Sequence, residues 1–324
     1  MAGDASPRDE TRAQRAEGMT LREAWELYQS HLTAKERSPR TGAGYWQNLN
    51  RYCADWIDRP IIEITHTKAQ RRHRQITENH GPYSANATMR ALRAIWRRAQ
   101  RQYPKLPDAP TMNVDWNKEK PREAVIEADE LPTWYEAILG LDNPIRRDLY
   151  LFILFTGTRS EEARSLRWEN VDLEHGIIHI AKTKTKPFDL PLSDYLIELL
   201  KQRSECKRTK ADFPDTAFVF PAETKTGYVS EPKLSVAQAR KFPIKFSVHN
   251  CRHTYITISE NRVPMPLGHT HLLVNHAALK TDAHSGYNHP SIDDLRRSQQ
   301  AVTDYLKAAV EPQDTPDNVV ALHG

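Results

Sequence analysis

Residues 156–168 read TGTRSEEARSLRW and directly follow a mostly apolar segment at 145–155. The apolar segment is predicted to form a helix that ends at Thr156-Gly157. Thr158 and Glu161 have the spacing of a capping box, which places Arg159 in the first turn of the next helix. There the guanidinium and the free backbone N–H groups of the turn could face one anion together. A lone arginine in such a place is usually only a surface charge. Whether Arg159 binds an anion therefore depends on which other functional residues the chain contains.

The composition indicates about two domains and no membrane anchor. The chain has 324 residues, and a domain usually takes roughly 150. Charged residues make up 27% of it, the mean hydropathy is −0.71, and no apolar run approaches the roughly 20 residues of a membrane helix. Because no leader resembles a signal peptide, we expect a cytoplasmic protein. Cys53, Cys206 and Cys251 fit neither a disulfide framework nor a zinc pattern and are expected to be reduced thiols.

Positive charge is concentrated in the N-terminal third of the chain. Residues 20–112 hold 16 Lys and Arg against 8 Asp and Glu, although the whole chain has a net charge of only +4. Such an excess is typical of a module that neutralises nucleic-acid phosphates and releases their counterions. On charge alone, a well-solvated helical surface is an equally good interpretation.

The same third is predicted to be helical. A capping box at Thr20 starts one helix, Ser38-Pro39 starts a second that runs through Trp56, and a third covers about 68–77. Their aromatic stripes are assigned to the core. A fourth helix, at about 84–100, has an apolar face and a basic one, and we expect the basic face to contact DNA. Its basic residues are Arg90, Arg93, Arg97, Arg98 and Arg101.

The domain organisation follows from breaks in these patterns. The proline-containing stretch at 104–121 has no hydrophobic periodicity and indicates a linker. Short strands are predicted at 177–180, 188–192 and 218–220, and a broken helical pattern covers 248–310. We therefore predict a mainly α fold with a small β-sheet, in two domains. The expected boundaries are a disordered 1–19, a helical domain at 20–112, a linker at 113–122, a second domain at 123–311 and a tail at 312–324.

Further basic and imidazole side chains follow Arg159 along the second domain. Lys184 lies in the predicted turn between two strands, where a long amine could reach into a site. His249 and Arg252 are three residues apart and share one helix face. Tyr287 lies in a polar, glycine-preceded stretch, whereas Tyr255 and Tyr305 have the surroundings of core residues. Each of these signals is weak alone.

In this order and spacing, the residues resemble the tyrosine recombinase (phage integrase) family. The segment 156–168 is similar to the family's first box, with its arginine at Arg159 and its acidic residue at Glu162. The turn at 183–185 resembles the hairpin that carries the family's lysine, at Lys184. The segment 249–254 is similar to the second box, and Tyr287 to the nucleophile. The resemblance implies a helical core-binding domain followed by a mixed α/β catalytic domain.

The third box leaves two histidines to choose between. Leu267-Gly268-His269 has the commonest spelling, but His269 lies 17 residues after Arg252 and 18 before Tyr287. His276 lies 24 after Arg252 and 11 before Tyr287, and this spacing favours it. His269 would then be a helix-surface residue.

The resemblance implies a role for each residue. Tyr287 would attack a DNA phosphodiester and form a 3′-phosphotyrosine, while Arg159 and Arg252 offset the charge that gathers on the phosphate. His249 is the candidate base, and His276 would donate a hydrogen bond to the phosphate. Lys184 would protonate the departing 5′ oxygen. Glu162 would orient Arg159. We expect no metal, cofactor or ATP, because the ester keeps the bond energy and no phosphate-binding loop motif is present.

These roles predict a site-specific DNA recombinase, such as the integrase of a phage or another mobile element. A type IB topoisomerase and a DNA-binding regulator without catalysis are the alternatives. The expected partner is double-stranded DNA at specific attachment or core sites. The expected location is the bacterial cytoplasm, at the nucleoid. The target sequence, the order of strand exchange, directionality, any accessory DNA-bending factors, and the choice between integrase and resolvase or transposon recombinase stay open.

The resemblance also bears on assembly. We expect a monomer in solution and a homotetramer on DNA. A helix at about 291–310 is predicted to pack on a neighbouring protomer through its apolar stripe, which comprises Ile292, Leu295, Val302, Tyr305 and Leu306. Because the first helix begins near residue 20, a separate arm-binding domain is not expected.

Overall fold

The computed structural model describes residues 18–119, 125–181, 186–209, 213, 216–266, 268–276 and 290–311, without the side chains of 207–209 and 236. Residues 1–17 and 312–324 of the predicted disordered ends, most of the lysine-rich turn, and Tyr287 lie outside these ranges. The prediction of disorder is wrong for Met19, which is described and buried in the core of the first unit. The chain divides into two compact units, 1–122 and 123–324. Mainly α-helical secondary structure with a small sheet confirms the predicted fold class. Within the described ranges no helix is both long and apolar enough to cross a membrane.

The described part of the first unit is helical. Its α-helices are α1 (Leu21–Ala34), α2 (Pro39–Tyr52), α3 (His66–His80) and α4 (Pro82–Gln102). The capping box at Thr20 is present, since its hydroxyl accepts from the Glu23 backbone N–H and the Glu23 carboxylate accepts from the Thr20 N–H. The predicted second helix is too long, because α2 ends at Tyr52 and residues 54–56 form a separate 3₁₀ turn.

Helix α4 is the centre of this unit, because it packs against all three other helices. Its apolar face is fully buried, including Met89, Leu92, Ile95 and Trp96. Trp25 of α1 is also buried and stacks on Trp46 of α2 with ring centroids 5.3 Å apart, which agrees with the assignment of the aromatic stripes to the core.

The predicted linker packs on the first unit over much of its length. Leu106, Ala109 and Val114 are buried in that unit's core. The Trp96 indole N–H donates to the carbonyl of Pro107 at 2.8 Å, and the Asn86 amide donates to the carbonyl of Asn117 at 2.9 Å. The prolines prevent a helix here, but the buried polar groups of α4 need the backbone of this segment as a partner.

The second unit contains α5 (Leu131–Leu139), α6 (Pro144–Thr156), α7 (Ser160–Arg164), α8 (Asp194–Thr209), α9 (Val236–Lys241), α10 (Val248–Asn261), α11 (His269–Leu273) and α12 (Ile292–Val310). Its sheet has strands β1 (Val171–Asp172), β2 (Ile177–Ile180) and β3 (Phe188–Pro191) in antiparallel order, with Ile178 opposite Leu190. The predicted strand at 218–220 does not join this sheet. Phe218 instead forms an isolated bridge with Arg167.

Helix α6 forms the middle of the second core. Residues 148–156 are all buried, and the helix ends at Gly157, as predicted. Gly157 has a φ of 62°, and a Cβ atom there would lie 2.4 Å from the Tyr255 ring. Only glycine therefore fits at this helix end, for both conformational and steric reasons.

Helix α12 is part of its own unit's core. Val302 and Leu306 have no exposed surface, and Leu295 and Tyr305 pack against the same cluster. The Gln299 amide donates to the Phe155 carbonyl at 2.7 Å and accepts from the Tyr255 hydroxyl at 2.7 Å. The expectation that the stripe packs on a neighbouring protomer is wrong, because these side chains already fill the space beside α6 and α10.

We predict that Leu306→Ala lowers the free energy of unfolding by about 2–5 kcal/mol, because it leaves a cavity in the core. Lys307→Ala, the exposed neighbouring change, should alter it by no more than about 0.5 kcal/mol. Urea unfolding of both variants measures the difference. Equal stability of the two variants would show that Leu306 does not hold α12 in place.

Candidate active site

Arg159 is held by Glu162 at the start of α7. Arg159 is the N-cap residue, one position before the helix, and the Glu162 carboxylate accepts from its backbone N–H and its Nη1, both at 3.1 Å. The predicted capping box of Thr158 and Glu161 is wrong by one residue. The Thr158 hydroxyl bonds the Thr156 hydroxyl instead, and Glu162 stands three residues after the true cap.

Arg252 lies in α10 and is almost fully buried, with 4% of its surface exposed. Its Nη1 donates to the Gly157 carbonyl, and its Nη2 donates to the Val274 carbonyl at 2.9 Å. Burial and the positive charge of Arg159 lower the pKa of Arg252 to about 10, while Glu162 opposes this shift. The guanidinium therefore remains charged at neutral pH, in a fixed orientation.

Both arginines contact one short segment after α11. Arg159 Nη2 donates to the Asn275 carbonyl at 3.1 Å, next to the Val274 carbonyl that Arg252 binds. The tertiary structure thus brings together residues that are 93 positions apart in the chain. The two like charges are tolerated because the buried Glu162 carboxylate lies beside them.

His276 lies close to the arginine pair. It directly follows Asn275, and its backbone N–H donates to the His271 carbonyl at 2.8 Å. Partial removal from water and the charges of Arg252 and Arg159 lower the pKa of His276 to about 4. His269 is buried instead, and its Nδ1 bonds the Ser298 hydroxyl of α12 at 2.7 Å. The expectation that His269 is a surface residue is wrong, since it packs α11 on α12.

His249 lies one turn before His253 on α10. Their rings meet edge to face with centroids 4.5 Å apart. Partial burial, followed by the proximity of His253 and Arg252, lowers the pKa of His249. A neutral imidazole can accept a proton at neutral pH, as a general base must. His253 belongs to the segment 249–254, but no role was predicted for it, although its spacing of four residues from His249 places both on one helix face.

Two of the predicted residues, Lys184 and Tyr287, lie outside the described ranges. Their flanks are described. The hairpin of β2 and β3 pairs Ile180 with Phe188, and the Lys186 carbonyl accepts from the Asn275 side-chain amide at 2.9 Å. The prediction that Tyr255 is a core residue is confirmed, because its ring is fully buried. Tyr305 also packs against the core.

In the first unit, the α4 arginines differ in their partners. Arg90 pairs with Glu119 at 2.5 Å, and Arg93 bonds Thr111 and lies over the Trp116 ring. Among the described residues, no acidic side chain forms a salt bridge with Arg97, Arg98 or Arg101.

The C-terminal half of α4 faces the end of α1. Burial and the charges of Arg98, Lys35 and Arg101 lower the pKa of His31. Arg97 and Arg101 are exposed, so this end of the unit presents unneutralised positive charge to solvent. An anionic surface such as a phosphate backbone is the ligand that such a patch fits.

Two known integrases are similar to part of this chain in sequence. The prophage integrase IntF of Escherichia coli strain K12 is 27% identical over 184 residues, which are 56% of this chain and 38% of IntF. The integrase of Shigella phage Sf6 is 28% identical over 176 residues, 53% of this chain and 44% of the phage protein. The matches thus span about half or less of each relative's length.

Solved structures share the fold. A lambda integrase dimer bound to a COC′ core site matches with a TM-score of 0.64 at 17% identity, over 91% of this chain and 82% of that one. The Tn1549 transposon integrase in complex with circular intermediate DNA matches with a TM-score of 0.60 at 18% identity, over 86% and 98%. The phage integrase family matches residues 124–291, more than half of the sequence, across both arginines, and the chain therefore belongs to that family.

Proposed function

We propose that the protein is a site-specific DNA recombinase of a phage or another mobile element, which cleaves and rejoins DNA through a 3′-phosphotyrosine. One observation carries this proposal. Two guanidiniums, Arg159 and Arg252, are anchored on the adjacent carbonyls of Asn275 and Val274, directly beside His276. Family membership and relatives named prophage integrase support the same function.

The arginines would replace the charge that metal ions supply in other phosphoryl-transfer enzymes. A phosphodiester under attack gathers negative charge on its nonbridging oxygens, and fixed guanidiniums offset it without reorganising. Arg252 is suited to this task because it is buried and held by two carbonyls. Arg159 is held by Glu162, and 26% of its side-chain surface is exposed, so that an anion could contact it.

The remaining residues would move protons. The Tyr287 oxygen forms a bond to phosphorus while the bond to the 5′ oxygen breaks. His249 takes the tyrosine proton, Lys184 gives a proton to the leaving 5′ oxygen, and His276 donates a hydrogen bond to the phosphate. Attack of a 5′ hydroxyl on the phosphotyrosine reverses these steps. No ATP enters, because the ester conserves the bond energy.

The partner in this proposal is double-stranded DNA at specific attachment or core sites. Solved neighbours are named as a dimer on a core site and a tetramer on a Holliday junction, and we infer a homotetramer on DNA that is a monomer when free. Because α12 is buried in its own unit, surfaces other than its apolar stripe would join the protomers. The reaction would take place at the bacterial nucleoid, with DNA-bending or directionality factors as further partners.

Tyr287→Phe should abolish strand cleavage and leave DNA affinity nearly unchanged, because only the attacking hydroxyl is removed. A nicked suicide substrate traps the phosphotyrosyl adduct on a denaturing gel, and a gel shift on the same DNA measures binding. Tyr305→Phe is the matched control and should cleave normally. An adduct in Tyr287→Phe would place the nucleophile elsewhere.

The same assays separate the alternatives. Plasmid relaxation without recombined product would indicate a topoisomerase of type IB. Binding without any adduct in the unaltered protein would indicate a DNA-binding regulator. Either result would overturn the proposed recombinase.

We expect Arg97→Ala and Arg101→Ala each to weaken binding to duplex DNA and to reduce the slope of log affinity against log salt by about 1. Arg90→Ala, on the same helix, should have a smaller effect because Glu119 already neutralises Arg90. Titrations from low to moderate salt measure the slopes. Equal slopes for all three variants would contradict a role for Arg97 and Arg101 in phosphate binding.

His276 should remain a neutral imidazole well below neutral pH, because partial burial and then the charges of Arg252 and Arg159 lower its pKa to about 4. We expect its ring resonances to titrate near pH 4 by NMR. Arg159→Gln should raise this midpoint, whereas Arg167→Gln, which removes a cation paired with Glu169, should not. A midpoint that does not respond to Arg159→Gln would mean that His276 does not sense the arginine pair.

A further inference from the structure

Asn275 has an unusual backbone conformation beside the arginine pair. Its φ is 48°, and among the described residues only Glu36 is another non-glycine with a positive φ. Asparagine tolerates the left-handed region better than most residues, but glycine adopts it more readily. The conformation alone therefore does not require an asparagine side chain.

The side chain of Asn275 makes a contact that glycine could not make. Its Nδ2 donates to the backbone carbonyl of Lys186 at 2.9 Å, while its own carbonyl accepts from Arg159 at 3.1 Å. The carbonyl before it, on Val274, accepts from Arg252. One residue thus connects the arginine pair to the chain that leads into β3.

Lys186 is two positions after Lys184 in the sequence. Two residues of chain span at most about 7 Å between Cα atoms, so an anchor at Lys186 limits how far Lys184 can lie from the arginine pair. The anchor acts on a backbone carbonyl, and so it fixes the chain whatever the side chain at 186 does. On the strand side, the pairing of Ile180 with Phe188 closes the hairpin.

We propose that Asn275 is a positioning residue, whose side-chain amide holds the backbone at Lys186, just before β3, beside the arginine pair so that Lys184 can protonate the leaving 5′ oxygen. This inference rests on the proposed function, in which Lys184 is the general acid. A proton donor must be within hydrogen-bond reach of the leaving atom, and a misplacement of about 1 Å can cost on the order of 100-fold in rate.

Asn275→Gly separates the two properties of this residue. It keeps the left-handed conformation and removes only the amide that binds Lys186. Asn261→Gly is a matched control, because the Asn261 amide donates to Thr257 within its own helix.

The test compares two substrates in single-turnover cleavage. In the ordinary suicide substrate, the P–O5′ bond breaks and the 5′ oxygen takes a proton from Lys184. In the second substrate, sulfur replaces the 5′ bridging oxygen and leaves as a thiolate without a proton. A defect in proton donation is therefore rescued by sulfur, and a defect in charge stabilisation is not.

We expect Asn275→Gly to slow cleavage of the oxygen substrate by about 10- to 100-fold. It should approach the unaltered protein on the sulfur substrate, as Lys184→Ala should. Arg252→Ala should be slow on both substrates, and Asn261→Gly should be slow on neither. Rescue by sulfur also demonstrates that Asn275→Gly is folded.

Two outcomes would overturn the inference by itself. The first is that Asn275→Gly cleaves the oxygen substrate at the normal rate. The second is that sulfur rescues Lys184→Ala but Asn275→Gly is slowed equally on both substrates. Failure of sulfur to rescue Lys184→Ala would instead remove Lys184 from its proposed role, and the inference with it.

Discussion

The two hydrogen bonds from the Arg252 guanidinium to backbone carbonyls are the constraint on which the second unit depends. A buried guanidinium must satisfy its N–H groups, and Arg252 does so with the carbonyls of Gly157 and Val274. These carbonyls belong to the end of α6 and the segment after α11. Arg252 thereby determines where the end of α6 and the segment after α11 meet. Glu162 supplies the negative charge that allows Arg159 and Arg252 to lie close together.

Helix α12 packs behind the backbone at the end of α6, whose Gly157 carbonyl binds Arg252. Gln299 of α12 binds both the Phe155 carbonyl, near the end of α6, and the hydroxyl of Tyr255. The Tyr255 ring in turn packs against Gly157, where a Cβ would be too close. Helix α12 therefore stabilises the backbone whose carbonyl binds Arg252. This explains why its apolar stripe faces inward and is not available for a second protomer.

In the first unit, the charge count could not show which arginines of α4 are already paired, and the tertiary structure decides this. The excess of basic residues at 20–112 correctly indicated a cationic surface, but Arg90 is neutralised by Glu119 and Arg93 is occupied by Thr111 and Trp116. All three partners come from the segment that its prolines suggested was a linker. These pairs could not be predicted from the sequence, because they join residues about 20 to 30 positions apart and no local pattern specifies them.

The sequence by itself determined the helical patterns, the end of α6 at Gly157 and the order of Arg159, His249, Arg252 and His276, because helix periodicity, glycine and motif spacing are local properties. It also favoured His276 over His269 from spacing alone. Only the tertiary structure decided that Arg159 is the N-cap of α7, that His269 is buried against Ser298, and that Asn275 connects the arginines to Lys186. These features depend on hydrogen bonds between distant segments, and no local pattern in the chain specifies such partners.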